Sequence, residues 1–154
     1  MINNDLAQFT KQVVTIAEQA GDAIMQVYQQ ADFDVQIKSD QSPLTQADLQ
    51  AHRIIQTGLQ ALSEHPILSE EAADIPFSER QTWSTYWLVD PLDGTKQFIN
   101  RKGEFCVCIA LIHEHYPVLG VVHVPVTGET YFAYQGQGAY KSNKSNTSNE
   151  QQTA

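Results

Sequence analysis

The sequence WLVDPLDGT at residues 87–95 joins a short apolar run to two acidic residues and a turn. An apolar run that stops at acidic residues is typical of a buried strand that delivers side chains to the edge of a sheet. Pro91 fixes its own backbone and Gly94 permits a close backbone approach, so the spacing lets Asp90 and Asp93 face one space. The stretch therefore predicts a strand that ends at an acidic site.

A second acidic cluster, Glu70 and Glu71, follows the apolar pair Ile67-Leu68. Two carboxylates about 4 Å apart repel by roughly 4 kcal/mol at an effective dielectric constant near 20, so four converging acids require protons or a cation. Oxygen ligands of this kind favour Mg²⁺. Glu-Glu pairs alone are more often solvated surface residues. Because each cluster follows a run that looks buried, and because a helix from Thr95 could offer amides to a phosphate, the combined pattern favours a metal and phosphate site.

The residues before these clusters predict two helices, because apolar positions recur there every three or four residues. The first helix extends from Leu6 to at least Val27, with Asn3 or Asn4 as its N-cap. The second helix begins after Thr45, and Asp48 three positions later has the spacing of a capping box.

The residues after the clusters predict a sheet, because they are rich in β-branched and aromatic residues. The predicted strands cover 105–112, 118–124, 131–134 and 138–141. Little polar alternation in the first two strands predicts that both of their faces are covered. The fold class is therefore α+β, with two N-terminal helices packed on a mainly antiparallel sheet in a domain of residues 1–141. Residues 142–154 lack large apolar side chains and predict a flexible polar tail or loop beside an open sheet edge, through which chains could self-associate.

The composition excludes several classes of protein. The 154 residues carry a formal charge of -9, so no nucleic-acid polymer is expected as a partner. The longest apolar run, 105–112, is far shorter than the roughly 20 residues that span a bilayer. The chain does not start with a basic and then an apolar segment, so we expect no secretory signal and a cytoplasmic location. Cys106 and Cys108 should then be thiols, and without zinc-site spacing a packing role is favoured.

Three segments together resemble the lithium-sensitive, Mg²⁺-dependent phosphatase superfamily that includes the inositol monophosphatases: WLVDPLDGTKQFI at 87–99, LSEE at 68–71 and PLTQAD at 43–48. The resemblance covers nearly all of residues 6–141. The continuation to residue 111 is most similar to bacterial 3'(2'),5'-bisphosphate nucleotidases of the CysQ type, although Gln97 stands where these usually have Glu. The resemblance implies the N-terminal part of a layered sugar-phosphatase fold, with the C-terminal α/β layer absent from this chain.

The resemblance also implies a site for two or more Mg²⁺ ions. Glu70 would bind the first metal beside the substrate phosphate, Asp90 would bridge two metals, and Asp93 would bind the second. The backbone carbonyl of Leu92 would complete the first site, so its apolar side chain is no obstacle. The implied substrate-binding residues are Glu70, Leu92, Asp93, Gly94 and Thr95, the last two through their amides.

Three residues have implied catalytic roles. Glu71 would help to hold the attacking water, and the Thr95 hydroxyl, paired with Asp48, would orient or deprotonate it. The implied reaction is hydrolysis of 3'-phosphoadenosine 5'-phosphate to AMP and phosphate, and of the related phosphosulfate, in sulfur assimilation. Members of the superfamily carry a further metal-binding Asp in a Trp-Asp motif, which this sequence lacks. We therefore expect weak or no activity from this chain alone.

Several alternatives remain open on the sequence. The chain could belong to an inositol or sugar monophosphatase of the same superfamily, or be a non-catalytic remnant that binds metal or phosphate. A haloacid-dehalogenase phosphatase is disfavoured because its D-x-D-G-T pattern is here D-x-x-D-G-T. Peripheral attachment to the inner membrane is an alternative to a purely cytoplasmic location. Four basic residues could attract a doubly phosphorylated nucleotide or simply be solvated: Lys38, Lys96, Arg101 and Lys102.

Overall fold

The computed structural model describes residues 2–30, 35–38, 43–72, 74–144 and 146–153. Within these residues the helices are α1 (Ile2–Tyr28), α2 (Gln46–Leu62), α3 (Phe77–Arg80) and α4 (Thr95–Ile99). The strands are β1 (Val35–Ile37), β2 (Pro43–Thr45), β3 (Ile67–Ser69), β4 (Thr85–Asp93), β5 (Cys106–His113), β6 (Tyr116–Val124), β7 (Glu129–Tyr134), β8 (Ala139–Asn143) and β9 (Asn146–Thr153).

Strands β3 to β9 form one seven-stranded sheet in which each strand lies beside the next in sequence. Strand β3 is parallel to β4, whereas all the following neighbours are antiparallel. Strands β1 and β2 form a separate antiparallel pair. Helices α1 and α2 pack against each other and against this sheet. The predicted α+β class, with two helices on a mainly antiparallel sheet, is confirmed.

The core lies between the two long helices and one face of the sheet. The apolar stripe predicted along α1 is buried, and its members contact buried residues of α2 and of the central strands. Trp87 on β4 is fully buried, and its indole nitrogen donates a hydrogen bond to Ser63 Oγ over 3.0 Å. Helix α1 begins at Ile2, so Asn3 and Asn4 lie within its first turn and the predicted N-cap is wrong. No helix-breaking residue precedes Leu6, so the helical backbone extends to the start of the described chain.

The other face of the sheet is only partly covered by the residues that the structure describes. Leu88 on β4 and Val122 on β6 are 42% and 38% exposed, and they line an open apolar cavity of about 510 Å³. The prediction that β5 and β6 are covered on both faces is therefore wrong for this part of the chain. The cavity is lined in part by small residues such as Ala110 and Gly120, which alternate with large apolar residues along these strands. Small and large residues together look uniformly apolar in the sequence, so the pattern does not show which face stays open.

The chain beyond residue 141 differs from the predicted flexible tail. Strand β8 extends to Asn143, and β9 pairs with it in antiparallel register. Polar residues carry the same backbone donors and acceptors as apolar ones, so they can pair with a sheet edge without contributing to the core. Residues 145 and 154 lie outside the described residues, and the predicted domain boundary at 141 stays a prediction. Among the described helices, none combines the length and the apolar composition needed to cross a membrane.

Candidate metal and phosphate site

The parallel pairing of β3 and β4 brings the two acidic clusters together. Ser69 at the end of β3 is the register partner of Val89 on β4, and the Glu70 amide continues the ladder by donating to the Val89 carbonyl over 3.1 Å. The next residue on each strand is acidic. The side chains of Glu70 and Asp90 are therefore neighbours, and Glu70 contributes to a raised pKa of Asp90.

A bulge in β4 turns both aspartates toward this point. Asp90 pairs with Cys108 and Asp93 with Cys106, so three steps along β4 match two steps along β5. Side chains alternate along a regular strand, so residues three apart would point to opposite faces. The extra residue of the bulge removes this conflict, since Asp90 and Asp93 line the same cavity.

This cavity of about 240 Å³ collects the residues that the sequence assigned to metal and phosphate binding. Its lining consists of Lys38, Glu70, Asp90, Leu92, Asp93, Gly94, Thr95, Lys96 and Gln97. The predicted catalytic residues Glu71 and Asp48 instead contact members of this lining, Lys38 and Thr95 respectively. The structure therefore brings the predicted residues into one place, in two layers.

The electrostatics of the cavity require a cation or a proton. Burial and the neighbouring Glu70 carboxyl raise the pKa of Asp90 to about 8, with a smaller contribution from Asp93. Asp90 Oδ1 is buried and has no hydrogen-bond partner among the residues that the structure describes. A buried carboxylate oxygen without a partner is costly unless a cation binds to it. The donor set is all oxygen, and its chemistry fits Mg²⁺.

Lys38 partly compensates this negative charge. Its Nζ lies 3.1 Å from Glu71 Oε1 and 3.9 Å from Glu70 Oε1. The Glu71 side chain is only 4% exposed, and its burial raises the pKa of the carboxyl, while Lys38 acts in the opposite direction. Lys38 is 33 positions from Glu71 in sequence, so residue spacing could not reveal the pair. Lys38 also lines the cavity, so of the two roles weighed for it, solvated residue or substrate contact, the contact with substrate stays a prediction.

Asp48 is fully buried behind the cavity and accepts three hydrogen bonds. Its Oδ2 accepts from the Thr45 amide over 2.9 Å and from the Thr45 hydroxyl over 2.5 Å. The bond from the amide, together with the bond that the Asp48 amide donates to the Thr45 hydroxyl oxygen, forms the predicted capping box of α2. Its Oδ1 accepts from the Thr95 hydroxyl over 2.9 Å. The same carboxylate therefore starts α2 and orients a hydroxyl that faces the cavity.

Gly94 allows the chain to turn from β4 into α4 at the cavity. Its φ of 96° lies in the left-handed region, and a Cβ at this position would be 2.7 Å from the Glu104 carbonyl oxygen. Only glycine combines this backbone with so close an approach. The turn sets Thr95 at the first position of α4, as predicted for a helix that starts there.

Two further sets of residues differ from their sequence interpretation. Arg101 donates to the backbone carbonyls of Tyr28 and Gln30, so it binds the end of α1. Cys106 and Cys108, interpreted as packing residues, are partly exposed and lie on the neighbouring strand opposite the two aspartates. Their position could have been predicted only from the β4–β5 register, which depends on the bulge.

Comparisons with known proteins identify the family of this chain. A model of the inositol monophosphatase family matches residues 5–154. The 3'(2'),5'-bisphosphate nucleotidase CysQ of Aggregatibacter actinomycetemcomitans is 52% identical over 130 residues, which are 84% of this chain and 48% of that protein. The crystal structure of CysQ from Bacteroides thetaiotaomicron superposes with a TM-score of 0.77 at 44% identity, over 88% of this chain and 49% of the other.

A more distant structure is that of an IMPase/NADP phosphatase complexed with Mg²⁺ and phosphate. It is 25% identical, has a TM-score of 0.76, and is matched over 88% of this chain and 51% of its own. The chain thus spans about half the length of the proteins that it matches. The family match extends over nearly the whole sequence and includes every residue of the cavity. This chain belongs to the inositol monophosphatase family.

Proposed function

We propose that this chain forms the metal- and phosphate-binding part of a Mg²⁺-dependent 3'(2'),5'-bisphosphate nucleotidase. Its substrate would be 3'-phosphoadenosine 5'-phosphate, which is hydrolysed to AMP and phosphate. The observation that carries the proposal is the cavity that gathers Glu70, Asp90 and Asp93 while leaving the buried Asp90 Oδ1 without a partner among the described residues. The class of substrate, a 3'(2'),5'-bisphosphate nucleotide, is the one that the CysQ relative is named for, and the adenosine is what the sequence resemblance implies.

The residues that would hold two or more Mg²⁺ ions are Glu70, Asp90, Asp93 and the Leu92 carbonyl. When bound, magnesium supplies positive charge that offsets the phosphate and stabilises the leaving oxygen. The resemblance implies that Asp90 would contact two ions, and Glu70 and Asp93, which would hold them with it, both raise its pKa. Lys38 stays beside the acidic residues and reduces their mutual repulsion.

Thr95 and Glu71 would act on the attacking water. Because the Thr95 hydroxyl donates its proton to Asp48 Oδ1, its oxygen lone pairs are free to accept a hydrogen bond from water. As Thr95 Oγ1 takes a proton from the water, the proton of its own hydroxyl would move to Asp48. Glu71, fixed by Lys38, would accept the second water proton as a hydrogen bond. Water, rather than a side chain, is therefore the nucleophile.

The phosphate would lie at the turn between β4 and α4. Gly94 brings the backbone close to the cavity, and the amides of Gly94 and Thr95 would donate to phosphate oxygens. Lys96 also lines the cavity and would add positive charge near the substrate. These contacts recognise a phosphate monoester and do not distinguish a nucleotide from an inositol or a sugar.

A second candidate substrate class is therefore an inositol or sugar monophosphate, because two solved relatives are titled as inositol monophosphatases. We favour the nucleotide, with 3'-phosphoadenosine 5'-phosphosulfate as a second substrate and sulfur assimilation as the context. A doubly phosphorylated nucleotide does not cross membranes unaided, so the proposed location is the cytoplasm, with or without peripheral attachment to the inner membrane. Self-association through the sheet edge stays a prediction.

The test is a chimera in which residues 1–141 replace the matching segment of the Aggregatibacter relative. We expect Mg²⁺-dependent release of phosphate from 3'-phosphoadenosine 5'-phosphate, and a loss of at least 100-fold with Asp90→Asn. The 154-residue chain alone should be weak or inactive. Asp74→Asn, on an exposed acid outside the cavity lining, is the matched surface control and should keep the activity within about threefold.

Three results would contradict the proposal. Faster hydrolysis of inositol 1-phosphate than of the nucleotide would favour the second substrate class. Full activity of the Asp90→Asn chimera would remove the metal site from the mechanism. Inactivity of a folded chimera that still binds Mg²⁺ would favour a non-catalytic metal-binding remnant.

A further inference from the structure

A second group of potential metal ligands adjoins the carboxylate cavity. Cys106 and Cys108 are two residues apart on β5, so their side chains lie on the same face, and their sulfur atoms are 3.6 Å apart. Asp93 on the neighbouring strand places Oδ2 3.9 Å from the Cys106 sulfur. One ligand atom from each of the three residues lies within 4.8 Å of the others.

These separations match the edges of a tetrahedral thiolate site. A Zn–S bond of about 2.3 Å gives neighbouring ligands of a tetrahedron a separation of about 3.8 Å. The sulfur–sulfur separation of 3.6 Å is close to this value. A Zn–O bond of about 2.0 Å gives a sulfur–oxygen edge of about 3.5 Å, and the observed separation is 3.9 Å. The ligand atoms therefore need to move only slightly to bind one ion.

We propose that Asp93, Cys106 and Cys108 bind a thiophilic divalent cation of the Zn²⁺ or Cd²⁺ class, with water as the fourth ligand. Thiolate sulfur selects such ions over Mg²⁺, which binds oxygen. On binding, each thiol releases its proton to solvent and the sulfur forms a bond to the metal. The two cysteines alone lack the spacing of a sequence-encoded zinc site, and the third ligand comes from the β4–β5 pairing.

The site is open to ions from solution. Both cysteines are partly exposed and Asp93 is exposed. Asp93 and Cys106 also line a cavity of about 420 Å³ at the start of β5. A hydrated ion can therefore reach the ligands without displacing buried side chains.

One consequence follows for the carboxylate cavity. Asp93 belongs to both groups of ligands, because it lines the cavity with Glu70 and Asp90 as well. A thiophilic ion held by the cysteines would compete with Mg²⁺ for this carboxylate. This competition rests on the proposed function, whereas binding of the thiophilic ion does not.

The test is a Cd²⁺ titration of the reduced chain, followed by the sulfur-to-metal charge-transfer absorption. The sequence contains no other cysteines, so the band reports only on Cys106 and Cys108. We expect one ion per chain and at least tenfold weaker binding in Cys106→Ser and in Cys108→Ser. Asp93→Asn retains both thiols and should bind at least fivefold more weakly. Circular dichroism confirms that each variant is folded.

Glu70→Gln is the matched control, since it alters the carboxylate cavity and leaves all three thiophilic ligands. Its affinity for Cd²⁺ should equal that of the wild type. Unchanged affinity in folded Asp93→Asn, or one ion shared between two chains, would overturn the site. Added Mg²⁺ should weaken Cd²⁺ binding to the wild type. If added Mg²⁺ has no effect while the other results hold, the claim that both ions use Asp93 is wrong and the cysteine site stands.

Discussion

The Thr95 hydroxyl donates a hydrogen bond to Asp48 Oδ1 over 2.9 Å and thereby connects the first residue of α4 to the first turn of α2. Asp48 also accepts two hydrogen bonds from Thr45, so its carboxylate has a structural role and a role at the cavity. The start of α2 and the position of the Thr95 hydroxyl are therefore linked through one buried side chain.

The Asp48→Ala variant should lose stability because several buried donors lose their acceptor. The loss of a cap costs about 1 kcal/mol, and each buried donor left unsatisfied adds about 1–3 kcal/mol. We expect the free energy of unfolding in urea to fall by about 2–4 kcal/mol. Asp5→Ala is the control, because Asp5 is an exposed acid in the first turn of α1. Equal losses in the two variants would contradict the role of Asp48.

The Gly94→Ala variant should be destabilised by both strain and collision. Its φ of 96° costs an L-residue about 1–2 kcal/mol, and the new Cβ would lie 2.7 Å from the Glu104 carbonyl oxygen. Gly136 provides a matched control, since its φ is also positive, at 85°, and a Cβ there meets no described atom within 4 Å. Urea unfolding should show a loss for Gly94→Ala that is larger by about 1 kcal/mol or more. A smaller loss than in Gly136→Ala would disprove the close approach.

His123 should make the stability depend on pH. It is 2% exposed, and its Nδ1 is 2.8 Å from the Thr130 hydroxyl. Burial lowers its pKa to about 4, with Lys144 acting in the same direction and Asp22 against it. Below pH 6.5 the unfolded chain binds a proton that the folded chain excludes, so stability falls as pH falls toward 4.

Between pH 7.5 and pH 5 this linkage amounts to about 2 kcal/mol. Over this pH range the free energy of unfolding should fall by about 2 kcal/mol less in His123→Gln than in the wild type. His52 and His65 also have lowered pKa values because of burial, but they are present in both proteins and cancel in the comparison. Parallel pH profiles for the two proteins would show that His123 does not titrate as described.

The Asp90→Asn variant should lose the stabilisation that Mg²⁺ gives to the wild type. An ion that binds only the folded chain stabilises it by about 2.7 kcal/mol at one hundred times its dissociation constant. Thermal unfolding with Mg²⁺ and with a chelator should therefore differ for the wild type and coincide for the variant. Asp74→Asn is a control on an exposed acid outside the cavity lining and should keep the difference. An equal response in Asp90→Asn would place the ion elsewhere.

Local patterns predicted much of the fold and of the site. The apolar stripe of α1, the capping box at Thr45 and the turn at Gly94 each depend on residues a few positions apart. The acidic cavity was also predictable, because Glu70 and Asp90 each follow a short apolar run and parallel strands align their ends.

Features that depend on distant pairing were not predictable in the same way. The ion pair of Lys38 with Glu71 joins residues 33 positions apart, and the alignment of Cys106 with Asp93 depends on a bulge. Composition also failed at β9, because an edge strand needs backbone partners more than apolar side chains.

The central claim is that Glu70, Asp90 and Asp93 converge because they bind magnesium. The most direct test is a crystal structure of the chain with Mn²⁺ in place of Mg²⁺, in which anomalous scattering locates the ion. The account predicts an ion bonded to Asp90 Oδ1 and to at least one oxygen of Glu70 or Asp93. Ordered carboxylates without an ion at saturating Mn²⁺, or an ion bound only elsewhere, would contradict it.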